Sequence, residues 1–165
     1  MIAILSHQTK QAIDQWLTKF PADHRESGVI FALKVVQKEN GGWLTEELMN
    51  AVAAYLGMPK IAVYEVASFY SMFDLKPVGR HKLCVCTNIS CLLRGCDQIV
   101  AHLKNRLGID FGETTADGQF TLKEVECLGA CVAPPVCYIG KKYYENLTPE
   151  KIDEILAVLK RGSEA

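Results

Sequence analysis

Four cysteines in two close pairs constrain this chain more than any other feature. Cys86 and Cys91 bracket four residues in CTNISC, and Cys127 and Cys131 bracket three in CLGAC. Each pair follows a strand-like run, HKLCVCT before the first and QFTLKEVEC leading into the second. If those strands are neighbours, the loops leaving them converge at one end of a sheet and bring four thiols together. Zinc ribbons and thioredoxin-type dithiols favour C-x-x-C, and the chain contains no C-x-x-C. A two-iron site spreads its ligands and tolerates a four-residue gap of the plant-ferredoxin kind. A four-sulfur, two-iron site therefore suits the spacing better than a structural zinc ion or four unrelated packed cysteines.

The chain has seven cysteines, so three others need a reading. Cys84 lies two residues before Cys86 on the same strand face and is expected in the core. Cys96, near the start of the next helix, is near enough in sequence to stand in for Cys91, and spacing alone does not separate the two. Cys137, inside the apolar VCYIG, is expected to be packing. Gly129 lets backbone N–H groups approach the sulfurs, and Pro134-Pro135 stiffens the exit. Leu92, Leu128 and Val132 are expected to limit water around the thiols.

Around these loops the texture changes near Pro77. Upstream, TKQAIDQWLTKF, SGVIFALKVVQKENGG, TEELMNAVAAYLGM and PKIAVYEVASFYSMF repeat apolar residues at three- and four-residue steps, which predicts four helices. Gly41-Gly42 and Gly57 fall at helix ends, Thr45 before Glu46 and Glu47 resembles an N-cap, and Pro59 fits a first-turn position. Downstream the order is strand, helix (CDQIVAHLKNRLG), strand, a hairpin of VCYIG and KKYYEN turning at Gly140, and a last helix, TPEKIDEILAVLKRG. Thr148 is expected to cap that helix, with Pro149 at its first position. The expected class is α/β (α+β): an N-terminal helical bundle over residues 1–76, then a small mixed sheet with packed helices over residues 77–165, as in thioredoxin-like folds.

Composition narrows the functions. With 165 residues and 49% hydrophobic content there is material for a buried core, and a net charge of -1 leaves no electrostatic footprint for nucleic acid. The LGMP turn between the third and fourth helices has the outline of a helix-turn-helix, but IAVYEVASFY carries one charge, an acidic one, so DNA is not the expected partner. No apolar run reaches the roughly 18 residues that span a bilayer, and MIAILSHQTKQ has no basic leader. The expectation is a soluble protein of a reducing compartment, without direct membrane insertion. No G-x-G-x-x-G or P-loop is present for a dinucleotide. Trp16, Phe20, Phe31, Trp43, Tyr55, Phe69, Tyr70 and Phe73 exceed what four short helices can hide, so some should meet a partner.

CTNISCLLRGCDQI, TTADGQFTLKEVECLGACVAPPVCYIGKKYYENLTPE and, upstream, ASFYSMFDLKPVGRH together resemble the small thioredoxin-like 2Fe-2S subunit of respiratory complex I, the NuoE type. The resemblance covers nearly the whole chain. It implies a thioredoxin-like 2Fe-2S ferredoxin domain after the helices, with one 2Fe-2S cluster ligated by Cys86, Cys91, Cys127 and Cys131, and with Cys84, Cys96 and Cys137 outside the ligand set. It also implies a partner, the flavoprotein subunit, which alone binds NADH and FMN, and further subunits of a peripheral arm on the cytoplasmic side of the bacterial inner membrane. In such a complex NADH gives a hydride to flavin on the partner, and single electrons then pass to iron–sulfur centres, one of them here. This chain alone should not oxidise NADH. Related subunits serve NAD-linked hydrogenases and formate dehydrogenases, which supply the alternative parent complex. Two readings of other classes remain, a thiol–disulfide enzyme, which lacks its C-x-x-C, and a zinc-stabilised adaptor, which would be colourless where a ferric cluster is brown.

Overall fold

The computed structural model describes residues 4–162. The chain divides into two compact units, Met1–Pro77 and Val78–Ala165.

Four helices make up the first unit: α1 (His7–Leu17), α2 (Val29–Glu39), α3 (Glu46–Leu56) and α4 (Lys60–Phe69), with a short 3-10 turn at Arg25–Gly28. Each buries one stripe at helical spacing. Thr9, Ile13 and Leu17 point inward from α1, Ala32, Leu33 and Val36 from α2, Met49, Val52, Ala53 and Leu56 from α3, and Val63 and Ala67 from α4. Leu44 and Phe73 complete that core from the loops. The boundaries follow local chemistry. Ser6 and Thr45 accept the Thr9 and Leu48 N–H groups at the starts of α1 and α3, and Gly57 ends α3 at φ 73°. Pro59 is the residue before α4 rather than its first helical residue, its ψ of 139° being extended.

The second unit holds one four-stranded sheet in the order β2-β1-β3-β4, with β1 His81–Cys86, β2 Phe120–Val125, β3 Cys137–Ile139 and β4 Lys142–Tyr144. β1 and β2 are parallel, which requires a crossover, and α5 (Ile89–Leu92) followed by α6 (Cys96–Leu107) supplies it. β3 runs antiparallel to β1 and turns into β4 as the expected hairpin. Alternate strand residues Leu83, Val85, Phe120, Leu122, Cys137 and Ile139 share one face. They pack against Ile99 and Leu103 of α6 and against Ile152, Ile155 and Leu156 of α7 (Pro149–Arg161). Both helices therefore cover the same side of the sheet. Asp153 ties them further, accepting from Arg106 Nε at 2.7 Å and lying 3.0 Å from His102 Nε2. Thr148 caps α7 by accepting the Lys151 N–H, with Pro149 in the first turn, as the sequence predicts.

Candidate metal centre

Because β1 and β2 are parallel and Cys86 pairs with Val125, the chain leaves both strands at one end of the sheet. The expected convergence of the two cysteine loops follows from that register. Hydrogen bonds lace the exits together: Thr87 N–H donates to the Val125 carbonyl at 3.1 Å, Cys86 N–H to the Val136 carbonyl at 3.1 Å, and the Cys86 thiol to the Glu126 carbonyl at 3.6 Å. Cys86 is the last residue of β1 rather than a loop residue. After it, Asn88 caps the single turn α5 by accepting the Ile89 N–H at 2.7 Å, and that turn directs Cys91 inward, leaving it 2% exposed.

Cys96 opens α6 and is equally buried, one turn N-terminal to the inward Ile99. Cys86, Cys91 and Cys96 thus form one buried sulfur nucleus, on which Val125 and Leu128 pack. Spacing left Cys96 open as a substitute for Cys91; what spacing did not show is that both thiols face the same nucleus. The available signal was the i, i+3, i+7 apolar series Cys96, Ile99 and Leu103, which fixes the inward face of α6. Burial raises the Cys91 thiol to about 11, helped by a hydrogen bond and charge from Cys86. Burial also raises Cys96, with the Asp97 carboxylate adding to it. Both thiols hold their protons in the metal-free protein.

Cys127 and Cys131 lie on the other loop and are exposed. Gly129 between them has φ 72°, and its N–H donates to the Cys127 sulfur at 3.3 Å, so the backbone approach expected there is present. The four expected ligands come to the same end of the sheet as a buried half and an exposed half. Among the described residues, no three His, Cys, Asp or Glu side chains stand closely enough to hold a metal ion. Shielding differs from expectation. Leu128 packs on the sulfur nucleus, but Leu92 is 54% exposed and Val132 95%. A one-turn helix has a single inward position, and Cys91 occupies it, so Ile89 and Leu92 turn to solvent. The loop exit carries a cis bond between Pro134 and Pro135. Cys84 is buried on β1, and Cys137 sits within the core of the sheet, where burial first and then the charge of Cys84 raise its thiol to about 12.

An all-thiol donor set from two laced loops, half of it in an apolar nucleus and with a backbone N–H aimed at one sulfur, suits a 2Fe-2S cluster. Fold and site together define a small thiol-rich protein of thioredoxin-like architecture. The chain belongs to the thioredoxin-like 2Fe-2S ferredoxin family, whose pattern matches residues 13–160. It is 46% identical over 144 residues to the E subunit of NADH-quinone oxidoreductase from Rickettsia bellii (strain RML369-C), covering 87% of this chain and 86% of that protein. It is 43% identical over 150 residues to the mitochondrial NADH dehydrogenase (ubiquinone) flavoprotein 2 of Dictyostelium discoideum, covering 91% of this chain and 61% of the relative. Among solved structures, the NAD+-reducing NiFe-hydrogenase in its H2-reduced state superposes with a TM-score of 0.71 at 20% identity, over 81% of this chain and 22% of the hydrogenase chain. That likeness is one of fold, and this chain matches about a fifth of the hydrogenase chain's length. Among the described residues, no helix is long and apolar enough to cross a membrane.

Proposed function

We propose that this chain is the iron–sulfur subunit of the NADH-oxidising module of NADH:quinone oxidoreductase, holding one 2Fe-2S cluster through Cys86, Cys91, Cys127 and Cys131. The observation that carries this reading is 46% identity to the Rickettsia bellii protein across 87% of the chain, in a fold that sends both cysteine pairs to one end of the sheet. Its partner is the flavoprotein subunit, the site of NADH and FMN, and both belong to a peripheral arm on the cytoplasmic side of the bacterial inner membrane. The alternative parent is an NAD-linked hydrogenase, favoured only by the fold match to such an enzyme.

When bound, the cluster would supply one-electron storage and transfer. The protein supplies the setting. Cys86 and Cys91 offer sulfur from a nucleus that Val125 and Leu128 keep dry on one side, which strengthens every local electrostatic interaction. The Gly129 N–H stabilises negative charge on the Cys127 sulfur. The exposed half, with Cys127, Cys131 and Val132, is the side a redox partner can reach. Hydride chemistry belongs to the partner, since the sequence has no Gly-rich dinucleotide turn.

Purified protein should be brown, contain iron and sulfide in equal amounts at a 2Fe-2S stoichiometry, and give an S = 1/2 EPR signal on reduction. It should also co-purify with the flavoprotein subunit while failing to oxidise NADH alone. Colourless protein carrying zinc, or an iron content twice that of a 2Fe-2S centre, would overturn the assignment.

A further inference from the structure

The sulfur nucleus contains one thiol more than the proposed ligand set uses. Cys96 is 2% exposed and packs with Cys86 and Cys91, whereas Cys137 is enclosed in the core of the sheet among Leu83, Val85 and Ile139. The chain path explains its placement. α5 is followed by a tight turn in which the Arg94 and Gly95 N–H groups donate to the Cys91 and Leu92 carbonyls, at 3.1 and 3.0 Å, and the next residue is Cys96. Two thiols five positions apart are thus folded back onto the same neighbour, Cys86.

We infer that Cys96 is a reserve ligand of the iron–sulfur site, able to take the place of Cys91 when that thiol is lost. The inference rests on the function proposed above. Three features make the exchange local. Both cysteines belong to the same short connection, so replacing one by the other leaves β1, β2 and the Cys127–Cys131 loop as they are. The first turn of α6 is lightly held: its N-cap is Gly95, which contributes no side-chain cap hydrogen bond. The donor type is unchanged, and iron–sulfur sites accept more than one ligand spacing.

The test compares full-length wild-type protein with Cys96→Ser, Cys91→Ala, Cys91→Ala/Cys96→Ser and Cys86→Ala, each purified without oxygen. Iron, sulfide, visible circular dichroism and the EPR spectrum of the reduced protein are measured. Cys96→Ser should match the wild type in content and spectra. Cys91→Ala should keep iron and sulfide in equal amounts but with shifted EPR g values, and the double variant should fall below it in iron by at least about tenfold. Cys86→Ala should be empty. Equal iron loss in Cys91→Ala and the double variant overturns the inference, and so does an empty Cys96→Ser. An iron-free wild type instead overturns the proposed function. Far-UV circular dichroism checks folding, and if Cys91→Ala is unfolded the same comparison is made with the near-isosteric Cys91→Ser, alone and with Cys96→Ser.

Discussion

Gly129 shows how one residue sets the character of the site. Its φ of 72° is costly for any side chain with a Cβ, yet a Cβ built there would meet nothing within 4 Å. Gly129→Ala should therefore lose about 1–2 kcal/mol through backbone conformation alone. It should also lower the reduction potential, because the N–H now aimed at Cys127 would turn away as the loop relaxes. Urea unfolding and a redox titration check the two effects, and Gly129→Asn, which tolerates this conformation better, should be milder in both. Cys137→Ala is the contrasting case. Its thiol is fully buried between strands and serves only packing, so the variant should keep its iron while losing about 1 kcal/mol. Loss of iron in Cys137→Ala would mean that the ligand set is wrong. That the two cysteine loops leave the sheet at one end was legible in the sequence, because spacing and the preceding strands report it. That one pair is buried and the other exposed was not legible, since it depends on which way a single-turn helix and a glycine loop face.

At the scale of elements, long periodic segments were readable and short ones were not. The stripes of α2, α3, α6 and α7 run over enough turns to fix an inward face, and capping residues mark their ends. α5 has four residues and the turn at Arg25–Gly28 has four, too few for any period to appear. The parallel pairing of β1 with β2, which the sequence reading left open, fits the strand–helix–strand order, because a parallel neighbour needs a crossover of that size. Element-level predictions concern the sheet and its cover. Thr148→Ala removes the acceptor for the Lys151 N–H at the start of α7, which buries Ile152, Ile155 and Leu156, and should cost about 1 kcal/mol in urea unfolding. His81, at the start of β1, has a buried Nε2 without a hydrogen-bond partner, and burial, then the Arg80 charge, hold it below the ordinary histidine value of 6.5. In the unfolded chain the ring takes up a proton near that ordinary value, and in the folded protein only at lower pH. Its contribution is thus fully present above pH 6.5 and is lost as pH falls toward the depressed folded value. The urea midpoint of the metal-free protein should drop on acidification below 6.5, and His81→Phe, which keeps the ring packed toward Phe120, should drop less. Equal slopes for the two proteins would dismiss His81 as the cause.

On the scale of the whole molecule, each unit closes a core of its own, and what remains outside those cores decides how the chain works with others. Of the eight aromatic residues singled out in the helical part, only Phe73 is buried, and the rest are half-buried or exposed. The sequence indicated this surplus, because four helices of about eleven residues each cannot enclose so much ring area. Where the surplus gathers is a matter of tertiary structure. Phe69, at the end of α4, is 80% exposed and Ile61, at its start, 67%, and Tyr70, Met72 and Leu75 in the segment after α4 are exposed as well. A subunit of a larger assembly buries such side chains against its neighbour, and few residues of an interface carry most of its energy. Phe69→Asp and Ile61→Asp should each weaken association with the flavoprotein subunit about tenfold or more, the equivalent of at least about 1.4 kcal/mol. Neither side chain contributes to the buried core or to the sulfur nucleus, so iron content and the unfolding midpoint should stay at wild-type values. Titration of the purified flavoprotein with each variant, followed by calorimetry, reads the affinity directly. Unchanged affinity in both would remove this face of the helical unit as a docking surface, and would shift the contact with the flavoprotein to the exposed half of the cysteine site around Val132.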